Sequence, residues 1–125
     1  MARTVLVVDD TACCGDTVAM ALLSVPDLEV RTVHSAQAAL RILADDGTVA
    51  ALITDLHMPE VDGFELIERV RADRRYGKLP IVVISGDSNA ETPDRLRRLG
   101  ANAFFPKPFS PSAVRKSLEQ LIDAR

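Results

Sequence analysis

The sequence predicts an α/β domain with a doubly wound parallel sheet, and three observations carry that expectation. Strand and helix patterns alternate five times along the 125 residues. The runs Val5-Leu6-Val7-Val8, Ala51-Leu52-Ile53 and Ile81-Val82-Val83-Ile84 are continuously apolar, as in strands covered on both faces. Each run then delivers a polar residue: Asp9 and Asp10, Asp55, and Ser85. Alternating strands and helices imply right-handed crossovers with helices on both faces of one sheet. Neither an internal repeat nor a linker divides the chain, so residues 1–125 are expected to form a single domain.

The elements follow in order. Val5 to Val8 is a central strand. A first helix follows Gly15-Asp16, with Val18, Ala19, Ala21, Leu22 and Leu23 on one side, and Pro26 ends it. Leu28 to Val33 alternates apolar and polar, which suits a strand nearer an edge. Ser35 can cap a helix that carries Ala36, Ala39, Leu40 and Leu43 inward, and Asp46-Gly47 turns the chain. Val49 to Thr54 leads to Asp55, and Pro59 stops regular structure. Asp62 and Glu65 resemble a capping pair, opening a helix with Phe64, Ile67 and Val70 inward and Glu65 paired with Arg69 outside. Arg71, Arg74, Arg75 and Lys78 read as a solvated basic loop. Ile81 to Ser85 is the next strand. Pro93 suits only the first turn of a helix, so the helix ending at Gly100 starts late, near Thr92, and residues 87–91 are loop. Ala103-Phe104-Phe105 is a short last strand. Ser110-Pro111 opens a final helix with Val114, Leu118, Leu121 and Ile122 inward.

Composition excludes several function classes. A net charge of -3 offers no electrostatic footprint for nucleic acid or an anionic membrane. An aromatic share of 4% leaves no stacking platform for single strands. No apolar run approaches a membrane span, and the N-terminal run is too short for a secretory signal, so the cytoplasm is the expected location. The two cysteines are the neighbours Cys13 and Cys14, which builds no disulfide framework; they read as small apolar side chains near a helix start, without redox function.

The polar strand ends carry the chemistry. In a parallel sheet they converge on one edge, where ligands bind. Bare carboxylates gathered there repel one another, and a hard divalent cation resolves the conflict. Mg²⁺ takes one or two carboxylates, keeps waters and leaves room for phosphate oxygens. Lys107 adds a positive charge just beyond the last strand and Ser85 a hydroxyl. Acids, metal, ammonium and hydroxyl around one further carboxylate suit phosphoryl transfer onto that carboxylate.

Asp9-Asp10, Asp55-Leu56-His57-Met58-Pro59 with Asp62-Gly63, Ser85 and Lys107-Pro108-Phe109 together resemble the receiver domain of two-component response regulators. The resemblance spans the whole chain. It implies a flavodoxin-like (βα)5 sheet of order 2-1-3-4-5. It implies phosphorylation of Asp55 by a histidine kinase or histidine phosphotransfer protein. It makes Asp9, Asp10, Asp55 and the His57 backbone carbonyl the Mg²⁺ ligands, and gives Ser85 and Lys107 the phosphoryl oxygens. Ser85 and Phe104 match the switch positions, and the Lys107-Pro108 bond is commonly cis in the family. An unidentified downstream protein would read the face made by the helix after the fourth strand, the fifth strand and the last helix. No enzyme activity is implied beyond Mg²⁺-dependent self-phosphorylation and self-dephosphorylation.

This chain departs from the pattern with Phe instead of Tyr at 104, with His57 and Asp87 at variable positions flanking the phosphoryl group, and with Pro93. The competing reading is a receiver-like interaction module that works without phosphorylation. An aspartyl-phosphate hydrolase would place its second acid two residues after the first, whereas here Asp10 is adjacent and position 11 is Thr. A flavin protein would want a Ser/Thr/Gly-rich loop where Thr11-Ala12-Cys13 stands.

Overall fold

The computed structural model describes residues 3–9, 20, 22, 25, 27–45, 47–58 and 60–123. Five strands form one parallel sheet: β1 (Arg3–Val8), β2 (Leu28–Val33), β3 (Val49–Thr54), β4 (Ile81–Ser85) and β5 (Ala103–Pro106), in the order β2-β1-β3-β4-β5. Four helices are seen among the described residues: α1 (Ala36–Asp45), α2 (Gly63–Ala72), α3 (Thr92–Leu99) and α4 (Pro111–Asp123). A single 3-10 turn, Arg74–Tyr76, follows α2. This is the flavodoxin-like arrangement. The expected first helix, with Cys13 and Cys14, lies outside the described residues apart from Met20 and Leu22.

Strand periodicity divides the core in two. Leu6, Val8, Leu52, Ile81 and Val83 face α1, α2 and α3, where Ala39, Leu43, Leu66, Ile67, Val70 and Leu96 close one layer. Val5, Val7, Ala51, Ile53, Val82 and Ile84 point to the other face and meet Leu22, Val114, Leu118 and Ile122. Successive residues of one strand thus serve opposite layers, which is why the runs contain no polar break. β2, at the edge, alternates in burial as its sequence does.

Local signals set the helix ends. The Ser35 hydroxyl accepts the Ala38 N–H (3.1 Å) ahead of α1. Asp62 accepts the Glu65 N–H (2.9 Å) at the start of α2, and Glu65 pairs with Arg69 (2.8 Å) on its outer face. α3 begins at Thr92 with Pro93 in its first turn, and it ends at Gly100 in the left-handed region (φ 107°). The segment before it, 86–91, is irregular, as Pro93 requires.

One expectation is corrected. Arg71 is not part of a solvated basic loop. It sits in α2 and donates to the Gly100 carbonyl through Nε (3.1 Å) and Nη2 (2.7 Å), and to the Tyr76 carbonyl through Nη1 (2.8 Å). Its planar fork suits several oxygens at once, so it ties α2 to the end of α3. Asn102 takes a further Nη2 bond (3.1 Å) and also accepts the Ile81 N–H (2.8 Å), linking this hub to β4.

Gly63 lets α2 rest directly on the loop after β3. Its N–H donates to the Leu56 carbonyl (2.9 Å). A Cβ there would meet the Asp55 carbonyl oxygen and lie 2.8 Å from the Leu56 Cα. Gly63→Ala should therefore lower stability by on the order of 1–3 kcal/mol, the usual cost of overpacking against backbone. Urea unfolding measures it. An unchanged midpoint would show that the loop yields freely.

Candidate functional site

β1 and β3 pair in parallel with Val8 opposite Thr54, so Asp9 and Asp55 leave the sheet side by side. The Asp55 N–H is held by the Val8 carbonyl (3.1 Å), and the Asp9 N–H by the Val33 carbonyl (3.0 Å). Both acids are buried, which is unusual for carboxylates at the end of apolar strands. The Asp9 carbonyl accepts Nδ1–H of His34 (3.0 Å). Asp10 lies outside the described residues.

The Asp55 carboxylate is held at both oxygens. Oδ1 accepts the N–H of Leu56 (2.6 Å) and, at longer range, of His57 (3.4 Å). Oδ2 accepts from Lys107 Nζ at 2.9 Å. Lys107 reaches across from beyond β5, and the Lys107-Pro108 peptide is cis. The acid is only 10% exposed, so the ammonium offsets a desolvated charge. Thr54 donates to the Asp55 carbonyl (2.8 Å), steadying the strand end.

Ser85 ends β4 fully buried, and its Oγ accepts the Asp87 N–H (3.2 Å). A hydroxyl that accepts there keeps its single proton for another acceptor. Phe104, on β5, pairs in register with Val83 of β4, is partly buried, and borders a surface cavity of about 170 Å³ with Pro93 and Leu96. A cavity of about 230 Å³ lies at the opposite end of the sheet, around Arg3, Leu28 and Ile122, away from the acids.

Sequence reasoning did not find the role of Asp87. Its Oδ1 accepts the Asn89 N–H (2.8 Å) and the Thr92 hydroxyl (3.0 Å), and its Oδ2 accepts Nε2–H of His57 (3.1 Å). The Asn89 N–H, with the Thr92 hydroxyl and His57, holds the Asp87 carboxyl below the usual carboxylate range. Asn89 repeats the motif, accepting the Glu91 N–H through its side chain (2.9 Å). A signal was available: Asp-x-Asn ahead of Thr-Pro is a turn-then-cap pattern.

These placements gather Asp9, Asp55, Ser85 and Lys107 at one edge of the sheet, as the strand-end pattern anticipates. Among the described residues no group of three or more His, Cys, Asp or Glu side chains gathers as a metal site. The expected set is of another kind, since it includes Asp10 and a backbone carbonyl. The two described acids offer only hard oxygen donors, the chemistry that fits Mg²⁺.

The Lys107–Asp55 pair also makes a stability prediction. Lys107→Met should cost about 1–3 kcal/mol, because a poorly solvated carboxylate loses its charged donor. Much of that loss should return in Asp55→Asn/Lys107→Met. Chemical denaturation of the two single variants and the double variant closes the cycle, and strict additivity would mean the pair is not coupled.

Known proteins resemble this chain along most of its length. The family profile described as "Response regulator receiver domain" matches residues 5–119. A rice (Oryza sativa) protein, "Two-component response regulator ORR3", is 37% identical over 121 residues, covering 94% of this chain and 89% of the relative. The "Chemotaxis protein CheY homolog" of Campylobacter jejuni is 29% identical over 117 residues, covering 94% and 90%. A putative response regulator from Chloroflexus aurantiacus superposes with a TM-score of 0.88 at 28% identity, covering both chains fully. The chemotaxis response regulator CheY4 of Vibrio cholerae superposes with a TM-score of 0.85 at 27% identity, covering 97% of this chain and 99% of that one. With a profile match over residues 5–119 and whole-chain superposition on response regulators, this chain belongs to the response regulator receiver domain family.

Proposed function

We propose that the chain is a phosphorylatable switch in a two-component phosphorelay, with Asp55 as the phosphoacceptor. The observation that carries this reading is the Asp55 carboxylate itself. It stands at the end of the central strand, between the Leu56 N–H and the Lys107 ammonium, one strand away from the Ser85 hydroxyl. The donor is a phosphohistidine on a histidine kinase or phosphotransfer protein. A carboxylate oxygen forms the new O–P bond as the donor's P–N bond breaks, and the imidazole nitrogen leaves with the electron pair. Lys107 then exchanges its carboxylate partner for a phosphoryl oxygen, and Ser85 donates its proton to another. Asp9, Asp10, Asp55 and the His57 carbonyl would hold Mg²⁺, which when bound offsets negative charge on the transferring group.

The module carries out this chemistry on itself and turns over no separate substrate. Its output is a change of the α3–β5–α4 face, where Phe104 follows Ser85, read by a downstream protein. Action in the cytoplasm is part of this reading. No helix among the described residues is long and apolar enough to cross a membrane.

Incubation with acetyl phosphate and Mg²⁺ should yield about one acid-labile phosphate per chain, lost in Asp55→Asn with the fold intact. Uptake by Asp55→Asn equal to that of the wild type would remove Asp55 from this role. No uptake by the wild type would favour the interaction module that works without phosphorylation. For the metal, Asp10→Asn should bind Mg²⁺ much more weakly than the wild type in a fluorescence or calorimetric titration. Equal affinity would exclude Asp10 as a ligand.

A further inference from the structure

The polar bonds around Asp87 join three parts of the molecule: the loop after β3, the end of β4 and the start of α3. His57 belongs to the loop after Asp55, Ser85 ends β4, and Thr92 opens α3. Asp87 touches all three: it donates its N–H to Ser85 Oγ (3.2 Å), accepts from His57 Nε2 (3.1 Å) and accepts from Thr92 Oγ1 (3.0 Å). An ionised carboxylate can only accept, so the His57 ring contributes its Nε2–H whether neutral or charged.

The members differ in how firmly they are held. The His57 side chain is 66% exposed, whereas Asp87 is 14% exposed and Thr92 is buried. His57 therefore binds as a removable strap, and Thr92 as a fixed anchor. With Pro93 in its first turn, α3 forgoes one backbone N–H near its start, and its N-cap residue Glu91 makes no side-chain cap bond. The Asp87 carboxylate, five residues before Thr92, instead ties down the helix start through the Thr92 hydroxyl, and holds the preceding turn through the Asn89 N–H.

We propose that Asp87 is a positioning residue that couples the Asp55 site to the N-terminus of α3 through the chain His57–Asp87–Thr92. A phosphoryl group on Asp55 acts on two of its attachments. It draws the Ser85 hydroxyl, which carries the Asp87 N–H, and it crowds the loop that carries His57. Both shifts reach the carboxylate that holds Thr92, so the start of α3 responds to the state of Asp55. This inference rests on the phosphorylation reading for its trigger, but not for the clasp itself.

The test has two arms. The first uses unphosphorylated protein and amide hydrogen exchange. Asp87→Ala should speed exchange at Asn89 and Thr92 by about tenfold, the effect of losing a hydrogen bond to a charged group, and His57→Ala should speed it in the same residues. Unchanged protection there in His57→Ala would overturn the clasp, whatever Asp55 does. The second arm adds beryllofluoride and Mg²⁺ as a phosphoryl mimic. In the wild type, exchange across residues 92–96 should change on saturation. Thr92→Val should bind the mimic equally but transmit less than half of that change, and Thr92→Ser, which keeps the hydroxyl, should restore it. An undiminished response in Thr92→Val refutes the coupling. Failure of the wild type to bind the mimic, with the first arm positive, would count against the phosphorylation reading and leave the clasp standing.

Discussion

The contact between Lys107 and Asp55 sets the terms for the rest of the site. A carboxylate at the end of an apolar strand is poorly solvated, and strong donors close by offset that loss. The Leu56 N–H supplies one and the Lys107 ammonium the other. That ammonium comes from beyond β5, two strands away from β3 in the sheet order. To keep the pair closed, β3, β4 and β5 must hold their relative positions, and the two packed layers do that work. In the proposed phosphorylated state, a phosphoryl oxygen would take over the ammonium's bond.

Much of this was legible in the residues. The three unbroken apolar runs announced a doubly covered parallel sheet, and their polar ends announced an edge rich in acids. Asp55, Ser85 and Lys107 could be placed because strand ends are the best-defined points in such a fold. The late start of α3 followed from Pro93 alone. What escaped the sequence was contact between segments remote in the chain. Arg71 looked like one more surface cation, yet it serves Gly100 and Asn102, about thirty residues on. Asp87 looked like a loop residue, yet its partners include His57. Such bonds depend on where two loops meet, and no local period encodes that meeting.

The molecule therefore has two kinds of polar connection. Those at the site include backbone bonds at strand ends: Asp55 to Val8, Asp9 to Val33, Lys107 N–H to Ser85. Those ahead of α3 are side-chain bonds across loops, and more exposed. Regions with less buried contact and more solvent-facing bonds open at lower free energy. The acidic edge thus offers a stiff frame for chemistry, and the segment 86–92 a softer frame for response. The separation suits a protein that must keep one geometry while changing another.

The Arg71 hub adds a mechanical consequence. Its guanidinium grips the carbonyl of Gly100, at the negative end of α3, while the Asp87 carboxylate stands at the positive end. The two grips are unequal. Arg71 is built into α2 and also bonds Tyr76 and Asn102, whereas Asp87 sits on an irregular loop. A short rod clamped to a neighbouring helix at one end and held from a loop at the other can act as a lever. α3 has eight residues, about 12 Å of rise, so a small rotation at Gly100 becomes a displacement that grows toward Pro93. The fulcrum is then the arginine, far from the acids, and the exposed tip of the lever is the part with the greatest travel.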